Sequence, residues 1–297
     1  MSRILITGIN GQLGFELRRS LAMLGECICL DRQQLDLSRP DEIAVVLDQY
    51  QPDIIVNPAA YTAVDKAESD AELAHAVNAA APGAMANWAA AKNSLLLHYS
   101  TDYVFDGDKA SPYAEEDPTN PQSVYGLSKC RGEQAIRTSG ANHIILRSSW
   151  VVGAHGNNFL KTIMRLARER DSLNVVADQI GAPTPAALIA DVSAHIIKQW
   201  QASQDKQLLG TYHLTSSGNT SWHGYTEFLL ALAERYGVTL QLKPENLCPI
   251  PSSAYPTPAR RPSNSRLNCS KIEQSFGLTM PTWQSGVEQV FQQIFNS

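Results

Sequence analysis

Short apolar runs alternate with stretches of helical spacing along the first half of the chain. The runs cover residues 3–7, 27–30, 53–57, 95–100 and 143–147, and each has the length of a buried strand. Leu13, Leu17, Leu21 and Leu24 recur every three or four residues, which places them on one face of a helix between the first two runs. Wholly apolar strands that alternate with helices predict an α/β fold whose doubly wound parallel sheet is covered on both faces.

Two more helices are predicted in this half. Ser38 is a candidate N-cap, followed by Pro40 in the first turn and by Asp41 three residues after the cap. Residues 70–88 are rich in alanine, and we expect them to be largely helical despite Pro82.

The alternation weakens after about residue 150. Helices are predicted at 158–169, 186–200, 222–236 and 282–295, short strands at 173–176 and 211–214, and an ordered proline-rich loop at 244–262. We therefore divide the chain into a sheet domain, residues 1–150, with later returns to the sheet allowed, and a smaller substrate-binding part, residues 151–297.

Composition and charge exclude several classes of protein. Of 297 residues, 43% are hydrophobic and 18% are charged, which is typical of a folded globular chain. The formal net charge of −5 argues against a nucleic-acid partner, and no apolar run approaches the roughly 20 residues of a membrane span. There is no secretion signal, and the five cysteines lack disulfide or zinc spacing, so we expect a soluble cytoplasmic protein.

Three glycines, Gly8, Gly11 and Gly14, follow the first predicted strand directly. Glycine allows a tight turn and a close backbone approach to a pyrophosphate, which then lies on the N–H groups of the following helix. Asp31, at the end of the second predicted strand, is placed to accept a hydrogen bond from an adenosine ribose. We therefore expect a Rossmann-type dinucleotide site. Arg32 leaves the cofactor open, because Asp31 suits NADH whereas a guanidinium suits the 2′-phosphate of NADPH, unless Arg32 is only a solvated loop charge.

Tyr125 and Lys129 lie one turn apart on a predicted helix. The ordinary pKa of tyrosine is about 10, and a nearby ammonium lowers it, which makes Tyr125 a usable proton donor to a carbonyl oxygen. Residues 100–107 end the fourth predicted strand, where ligands of such sheets bind, and a hydroxyl there is placed to hydrogen-bond that carbonyl. The alternatives are a surface helix pair and a strand-end cap.

Together these motifs resemble the extended short-chain dehydrogenase/reductase superfamily and, within it, the dTDP-4-dehydrorhamnose reductase family. The most specific match is the run Ser-Thr-Asp-Tyr-Val-Phe-Asp-Gly at 100–107. Residues 57–65, 147–150, 156–159 and 261–267 match as well, so the resemblance spans nearly the whole chain.

The resemblance implies reduction of the 4-keto group of dTDP-4-dehydro-6-deoxy-L-mannose to dTDP-L-rhamnose by NADPH or NADH, which supplies rhamnose for cell-surface polysaccharide such as lipopolysaccharide O-antigen. It implies that residues 151–297 mainly bind the sugar nucleotide. The implied catalytic residues are Thr101, Tyr125 and Lys129, and the implied contacts with the dTDP-linked deoxysugar are Thr101, Asp102 and Trp150. With the glycine loop and Arg32 from the motif above, the implied cofactor residues are Gly8, Gly11, Gln12, Leu13, Gly14, Asp31, Arg32, Asp36, Leu37, Ala59, Ala60, Thr62, Tyr125 and Lys129.

Three arginines, Arg260, Arg261 and Arg266, end the proline-rich stretch. As a cluster they are placed to meet the diphosphate of the sugar nucleotide, because guanidinium groups bind phosphate in a bidentate way. A solvated basic loop is the alternative.

Other functions stay open beside this one. A dehydratase of the superfamily carries Glu after the Thr-Asp pair, whereas this chain has Tyr103, which cannot act as a carboxylate base. A reductase or epimerase for another nucleotide sugar is a second alternative. A non-catalytic NADP-binding regulatory subunit, like that of methionine adenosyltransferase, is a third, since intact Thr101, Tyr125 and Lys129 do not exclude it.

Some members of the family form a dimer through Mg²⁺ held by three glutamates per subunit. The first glutamate matches Glu16, but the second falls at Ala187 and the third at Gln292 or Gln293. Because Mg²⁺ needs oxygen ligands and usually carboxylates, we predict no metal site. The protein is then a monomer or a homodimer that no metal bridges.

Overall fold

Short strands and helices alternate along residues 1–295, the part of the chain that this computed structural model describes. The strands are β1 (Arg3–Ile6), β2 (Glu26–Cys29), β3 (Ile54–Asn57), β4 (Leu95–Thr101), β5 (Asn142–Ser148), β6 (Val151–Val152), β7 (Leu173–Val176), β8 (Ile180–Gly181), β9 (Thr184–Pro185), β10 (Gly210–His213), β11 (Thr220–Ser221) and β12 (Leu247–Ile250). The α-helices are α1 (Gln12–Leu21), α2 (Pro40–Tyr50), α3 (Val64–Ala67), α4 (Ala71–His75), α5 (Ala81–Lys92), α6 (Val124–Thr138), α7 (Phe159–Glu169), α8 (Ala186–Ser203), α9 (Trp222–Arg235), α10 (Ser270–Phe276) and α11 (Trp283–Phe295). No helix in this described part of the chain is both long and apolar enough to cross a membrane.

Six parallel strands form the central sheet, in the order β10-β5-β4-β3-β1-β2. The chain leaves β1 for β2 on one side and then passes to β3 on the other side of β1. The loops after β1 and β3 therefore diverge at the carboxyl edge of the sheet, where such folds bind their ligands. The predicted Rossmann-type sheet is confirmed.

Apolar side chains bury both faces of this sheet. In β1, Ile4 and Ile6 enter the core beneath α1 and α8, while Leu5 enters the core beneath α2 and α5. Alternate side chains of a strand point to opposite faces, so a strand covered on both sides must be apolar throughout. The predicted helix face of α1 is confirmed too, because Leu17 and Leu21 are fully buried in the first core.

The second half of the chain builds a separate core and also returns to the sheet. α7, α9 and α11 pack together with β7 around Leu229, Val287 and Phe291. By contrast, α8 packs on α1 and β10 extends the central sheet beside β5. The parts of the second half that rejoin the sheet domain are thus α8 and β10. The division at residue 150 stays a prediction.

Two local predictions are wrong. α2 begins at Pro40 after Arg39, and the Ser38 hydroxyl donates to the Asp36 carboxylate at 2.8 Å instead of capping the helix. The predicted loop 244–262 contains β12, which pairs with β7. Pro249 concealed this strand in the sequence, but an edge strand tolerates proline because its outer N–H group needs no partner.

Candidate functional site

A cleft of about 680 Å³ opens at the carboxyl edge of the sheet, between the loops after β1 and β3. It is lined by all the residues predicted for the cofactor except Asp31, namely Gly8, Gly11, Gln12, Leu13, Gly14, Arg32, Asp36, Leu37, Ala59, Ala60, Thr62, Tyr125 and Lys129. Asp31 lines an adjoining cleft of about 600 Å³, which shares Arg32 and Asp36 with the first. The structure thus brings the predicted set together.

Two positions of the glycine loop, Gly8 and Gly14, have no room for a side chain. Gly8 has a φ of +57°, and a Cβ atom there would lie 2.8 Å from the Cβ of Ala59. A Cβ atom on Gly14 would lie 2.2 Å from the carbonyl oxygen of Gly8. α1 begins directly after Gly11 and has no side-chain cap. The free N–H groups of its first turn and the helix dipole therefore suit the pyrophosphate of a dinucleotide.

A loop from the second half of the chain, residues 155–158, contacts the segment that contains the three glycines. The ring of His155 stacks on Phe15 with centroids 4.4 Å apart. The Asn158 amide donates to Oε1 of Gln12 at 2.9 Å. Gly156 consequently lines the cleft. Residues 156–159 matched the family's pattern in the sequence, but no role for them was predicted.

Asp31 and Arg32 face the adjoining cleft together. Oδ1 of Asp31 accepts the N–H groups of Gln33 at 2.9 Å and Gln34 at 3.1 Å, which ties the carboxylate to its own turn. Arg32 is exposed, and its Nε lies 3.6 Å from Oδ1 of Asp36. An acid that suits a ribose hydroxyl and a cation that suits a phosphate therefore border the same space.

Tyr125 lies in the first turn of α6, and Thr101 lies at the end of β4. Burial raises the pKa of Tyr125 above its ordinary value, and the neighbouring Thr101 hydroxyl offsets only part of that rise. The Tyr125 ring packs edge to face against Tyr103, with centroids 5.5 Å apart. The structure therefore brings the two predicted catalytic residues together and keeps the phenol protonated at neutral pH.

Lys129 is buried and is turned toward the backbone of β4. Its Nζ donates to the carbonyl of Tyr99 at 2.6 Å and lies 3.2 Å from Nε2 of His98. Burial lowers the pKa of Lys129 to about 8, while the charge of Glu133 raises it. The ammonium thus contacts β4, and burial raises the pKa of Tyr125 instead of lowering it. The prediction that this ammonium lowers the phenol's pKa is therefore wrong for this arrangement.

A buried hydrogen-bonded chain extends from Lys129 through the sheet, and the sequence did not reveal it. Nδ1 of His98 lies 3.1 Å from Nδ2 of Asn57, and Oδ1 of Asn57 accepts from the Thr7 hydroxyl at 2.7 Å. Burial lowers the pKa of His98 well below its ordinary value, so its ring is neutral at physiological pH. The one sequence clue is a histidine inside the apolar run of β4.

Asp102 is a buried acid beside Thr101. The Thr101 hydroxyl donates to Oδ1 of Asp102 at 3.1 Å, while Oδ2 has no partner within residues 1–295. Burial raises the pKa of Asp102 to about 6, although hydrogen bonds from Ser265 and Thr101 lower it. Because buried polar atoms are nearly always satisfied, the free oxygen is placed to accept a hydrogen bond from a ligand.

The three predicted arginines do not converge on one point. Each guanidinium has a separate partner: Arg260 with Asp108, Arg261 with Asp65, and Arg266 with Asn264. Only Arg261 reaches a residue that contacts Tyr125, since it donates to the Tyr103 hydroxyl at 3.2 Å. The structure therefore separates the predicted cluster, because each guanidinium is held by a partner of its own.

The residues aligned with the magnesium ligands are engaged elsewhere. Oε2 of Glu16 lies 3.5 Å from Nε of Arg19, and the Gln292 amide donates to the Tyr236 hydroxyl. Nowhere in residues 1–295 do three His, Cys, Asp or Glu side chains come together as a metal site. The absence of a metal-bridged dimer stays a prediction.

Comparison with known proteins gives consistent matches over the full length. The family model described as the RmlD substrate binding domain matches residues 1–296. A dTDP-4-dehydrorhamnose reductase from Burkholderia thailandensis is 46% identical over 287 residues, which cover 96% of each chain. The crystal structure of a dTDP-4-dehydrorhamnose reductase from Clostridium acetobutylicum has a TM-score of 0.89 and 34% identity, with 98% of each chain covered. The corresponding protein of Bacillus anthracis, solved in complex with NADP, has a TM-score of 0.87 and 33% identity, again with 98% of each chain covered. The chain therefore belongs to the dTDP-4-dehydrorhamnose reductase family.

Proposed function

We propose that this protein reduces the 4-keto group of dTDP-4-dehydro-6-deoxy-L-mannose to dTDP-L-rhamnose, using NADPH or NADH. The observation that carries the proposal is the position of Tyr125, which is buried beside Thr101 and lines the same cleft as the glycine loop. A proton donor and a dinucleotide site thus line the same cleft. The relatives that are named as reductases support the same reaction.

The residues of the cleft fit a nicotinamide dinucleotide. Gly8 and Gly14 allow the loop to pack closely against Ala59 and against the start of α1, whose N–H groups would bind the pyrophosphate. Asp31 or Arg32 would bind the adenosine ribose or its phosphate. Ala59 and the other residues of the loop after β3 would line the cofactor on the opposite side. When bound, the reduced nicotinamide supplies the hydrogen and two electrons that carbon 4 of the sugar gains.

Tyr125 completes the reduction by giving its proton to the former carbonyl oxygen. Because burial keeps the phenol protonated at neutral pH, it carries the proton that the strongly basic oxygen of the reduced sugar takes up. Thr101 lies beside the phenol at the end of β4, and its hydroxyl donates to Asp102. Lys129 lines the same cleft and would donate to the ribose of the cofactor.

The sugar nucleotide would lie beyond Tyr125, at the carboxyl ends of β4 and β5. The free oxygen of Asp102 would accept from a sugar hydroxyl, and Trp150 follows β5 at the same edge. On this proposal, residues 1–150 mainly bind the cofactor. Residues 151–297, the half of the chain that builds the second core described above, mainly bind the sugar nucleotide.

Dehydration is chemically disfavoured at this site. The residue after the Thr-Asp pair is Tyr103, whose pKa burial raises above its ordinary value and whose hydroxyl accepts from Arg261. Such a phenol does not replace a carboxylate that removes a proton from carbon. The regulatory-subunit alternative predicts cofactor binding without turnover, which the assay below distinguishes.

We extend the proposal to assembly and location. The protein acts as a monomer or as a homodimer without a bridging metal, since Ala187 and Gln292 supply no carboxylate. A cytoplasmic location is supported by the five cysteines, all of which are free thiols.

The test is a turnover assay with the purified full chain and the keto sugar nucleotide. We expect the absorbance of reduced nicotinamide to fall with both NADPH and NADH, and only when the keto sugar is present. dTDP-glucose, which has no keto group, serves as the control substrate. Loss of activity in Lys129→Ala at least as severe as in Tyr125→Phe would support the assigned roles. Cofactor binding without any turnover would instead support the regulatory subunit.

A further inference from the structure

Trp150 occupies a strained position at the edge of the proposed sugar-nucleotide site. It follows β5 and has a φ of +50°, a left-handed conformation that bulky side chains rarely adopt. In the sheet Ser148 pairs with Thr101, so Trp150 lies just beyond the strand position next to the catalytic hydroxyl. Strain of this kind persists only where the surroundings impose it, and it concentrates at functional sites.

Two residues from the second half of the chain cover the two faces of the Trp150 indole. On one face Trp222 stacks with a centroid separation of 3.5 Å and an interplanar angle of 12°. On the other face lies Gly181, where a Cβ atom would be only 2.5 Å from the indole ring. Neither face is therefore free to stack on a sugar or a base, and only the edge of the indole is left.

The covering residues are themselves fixed. The indole N–H of Trp222 donates to Oε1 of Gln179 at 3.2 Å. Gln179 directly precedes β8, which contains Gly181, and β8 pairs with β11 immediately before Trp222. One short segment, residues 179–181, thus accepts a hydrogen bond from Trp222 and also packs against one face of the Trp150 indole.

The polar groups around Trp150 point to a ligand. Its own indole N–H makes no hydrogen bond within residues 1–295, in contrast to that of Trp222. The hydroxyls of Ser148 and Ser149 and Oδ2 of Asp102 are buried without partners in the same described range. Buried polar atoms seldom lack partners, so several of them at one strand edge suit the hydroxyls of a sugar.

We propose that Trp222 and Gly181 are positioning residues for the sugar-nucleotide site: they hold the Trp150 indole by both faces, so that it meets the sugar nucleotide with its edge and Nε1–H. The inference rests on the proposed function, because it requires a sugar nucleotide at this strand edge. It assigns Trp150 a hydrogen bond rather than a stacking contact, and it makes the geometry of that bond depend on residues that do not touch the ligand.

The test is calorimetric titration of dTDP-L-rhamnose into the full chain saturated with NADP⁺, with the Kd of NADPH as a measure of fold and cofactor site. We expect Trp150→Ala and Trp222→Ala each to weaken sugar-nucleotide binding by about tenfold. The double variant should bind no more weakly than Trp150→Ala alone, because a residue that acts through Trp150 has nothing to position once the indole is gone. Trp222→Phe keeps an aromatic face and should restore most of the affinity.

Gly181→Ala supplies a second test that leaves both indoles in place. Its methyl group must displace the Trp150 ring, so we expect weaker sugar-nucleotide binding in the wild-type background and no further effect in Trp150→Ala. Gly153→Ala is the matched control, since a Cβ atom there meets nothing closer than 3.5 Å. If Trp222→Ala loses NADPH binding and so has not folded, the Gly181→Ala pair decides the question.

The outcomes separate this inference from the proposed function. Wild-type affinity in Trp222→Ala, or additive losses in the double variant, would overturn the positioning role while leaving the reductase intact. Failure of the wild-type protein to bind dTDP-L-rhamnose, with NADPH binding retained, would overturn both.

Discussion

Removing the hydroxyl of Tyr125 is the most informative single change in this site. Tyr125→Phe keeps the ring, which packs edge to face against Tyr103, and deletes only the hydroxyl group beside Thr101. The glycine loop and the cleft residues are untouched. We therefore expect the variant to fold and to bind NADPH with a Kd within about twofold of the wild-type value, an effect below about 0.4 kcal/mol.

The size of the expected loss of kcat follows from the protonation state of the Tyr125 phenol. Because burial raises the pKa of Tyr125 above its ordinary value, essentially all of the wild-type enzyme carries the acid form at neutral pH. The full effect of general acid catalysis is then lost in the variant, which is typically about 10²–10⁴-fold. We take about 10³-fold in kcat as the central expectation, or about 4 kcal/mol of barrier.

The assay is NADPH oxidation under single-turnover conditions, so that product release does not mask the chemical step. Tyr103→Phe is the matched control, because it deletes a neighbouring phenol that accepts from Arg261 and leaves the acid in place. It should retain at least about a tenth of the wild-type rate. A Tyr125→Phe rate within about fivefold of wild type would refute the assignment of Tyr125 as proton donor.

Three further outcomes are expected. Asp31→Ala removes a carboxylate that repels a 2′-phosphate, so the ratio of kcat/KM for NADPH to that for NADH should rise; a shift toward NADH would show that Asp31 lies away from the 2′ position. Buried Asp102 accepts fully at both oxygens, from Thr101 and from the sugar, only when it is ionised, and Lys129 binds the ribose most strongly when it is charged. Activity should therefore rise with pH through about 6 and fall through about 8; a flat profile from pH 5 to 9 contradicts this. EDTA should change neither turnover nor the mass measured by light scattering, whereas inactivation or dissociation reversed by Mg²⁺ would reveal a metal bridge.

Local patterns were enough to predict the sheet and the cofactor loop. The first strand, the glycines at 8, 11 and 14 and the first helix are contiguous, so their geometry depends mainly on neighbours in sequence. Glycine at position 14 is required because the carbonyl of Gly8 lies where a Cβ atom would be. The sequence shows such a constraint directly, because the residue at that position is glycine.

Contacts between distant segments were not predictable in this way. The sequence placed Lys129 one turn from Tyr125, but the direction of its ammonium is set by the Tyr99 carbonyl and by His98 on another element. The stack of Trp222 on Trp150 likewise joins two parts of the chain with no local pattern in common. The apparent arginine cluster was misleading as well, because Arg260 and Arg261 pair with acids from distant parts of the chain.

The central claim is tested most directly by identifying the product. Purified full-length protein is incubated with dTDP-4-dehydro-6-deoxy-L-mannose and NADPH, and the sugar nucleotide formed is assigned by nuclear magnetic resonance. We predict dTDP-L-rhamnose, formed in equal amount to the NADPH consumed, and formed about 10³-fold more slowly when Tyr125→Phe replaces the wild-type protein. Recovery of unchanged keto sugar, or of a dehydrated or 4-epimeric sugar nucleotide, would contradict the account.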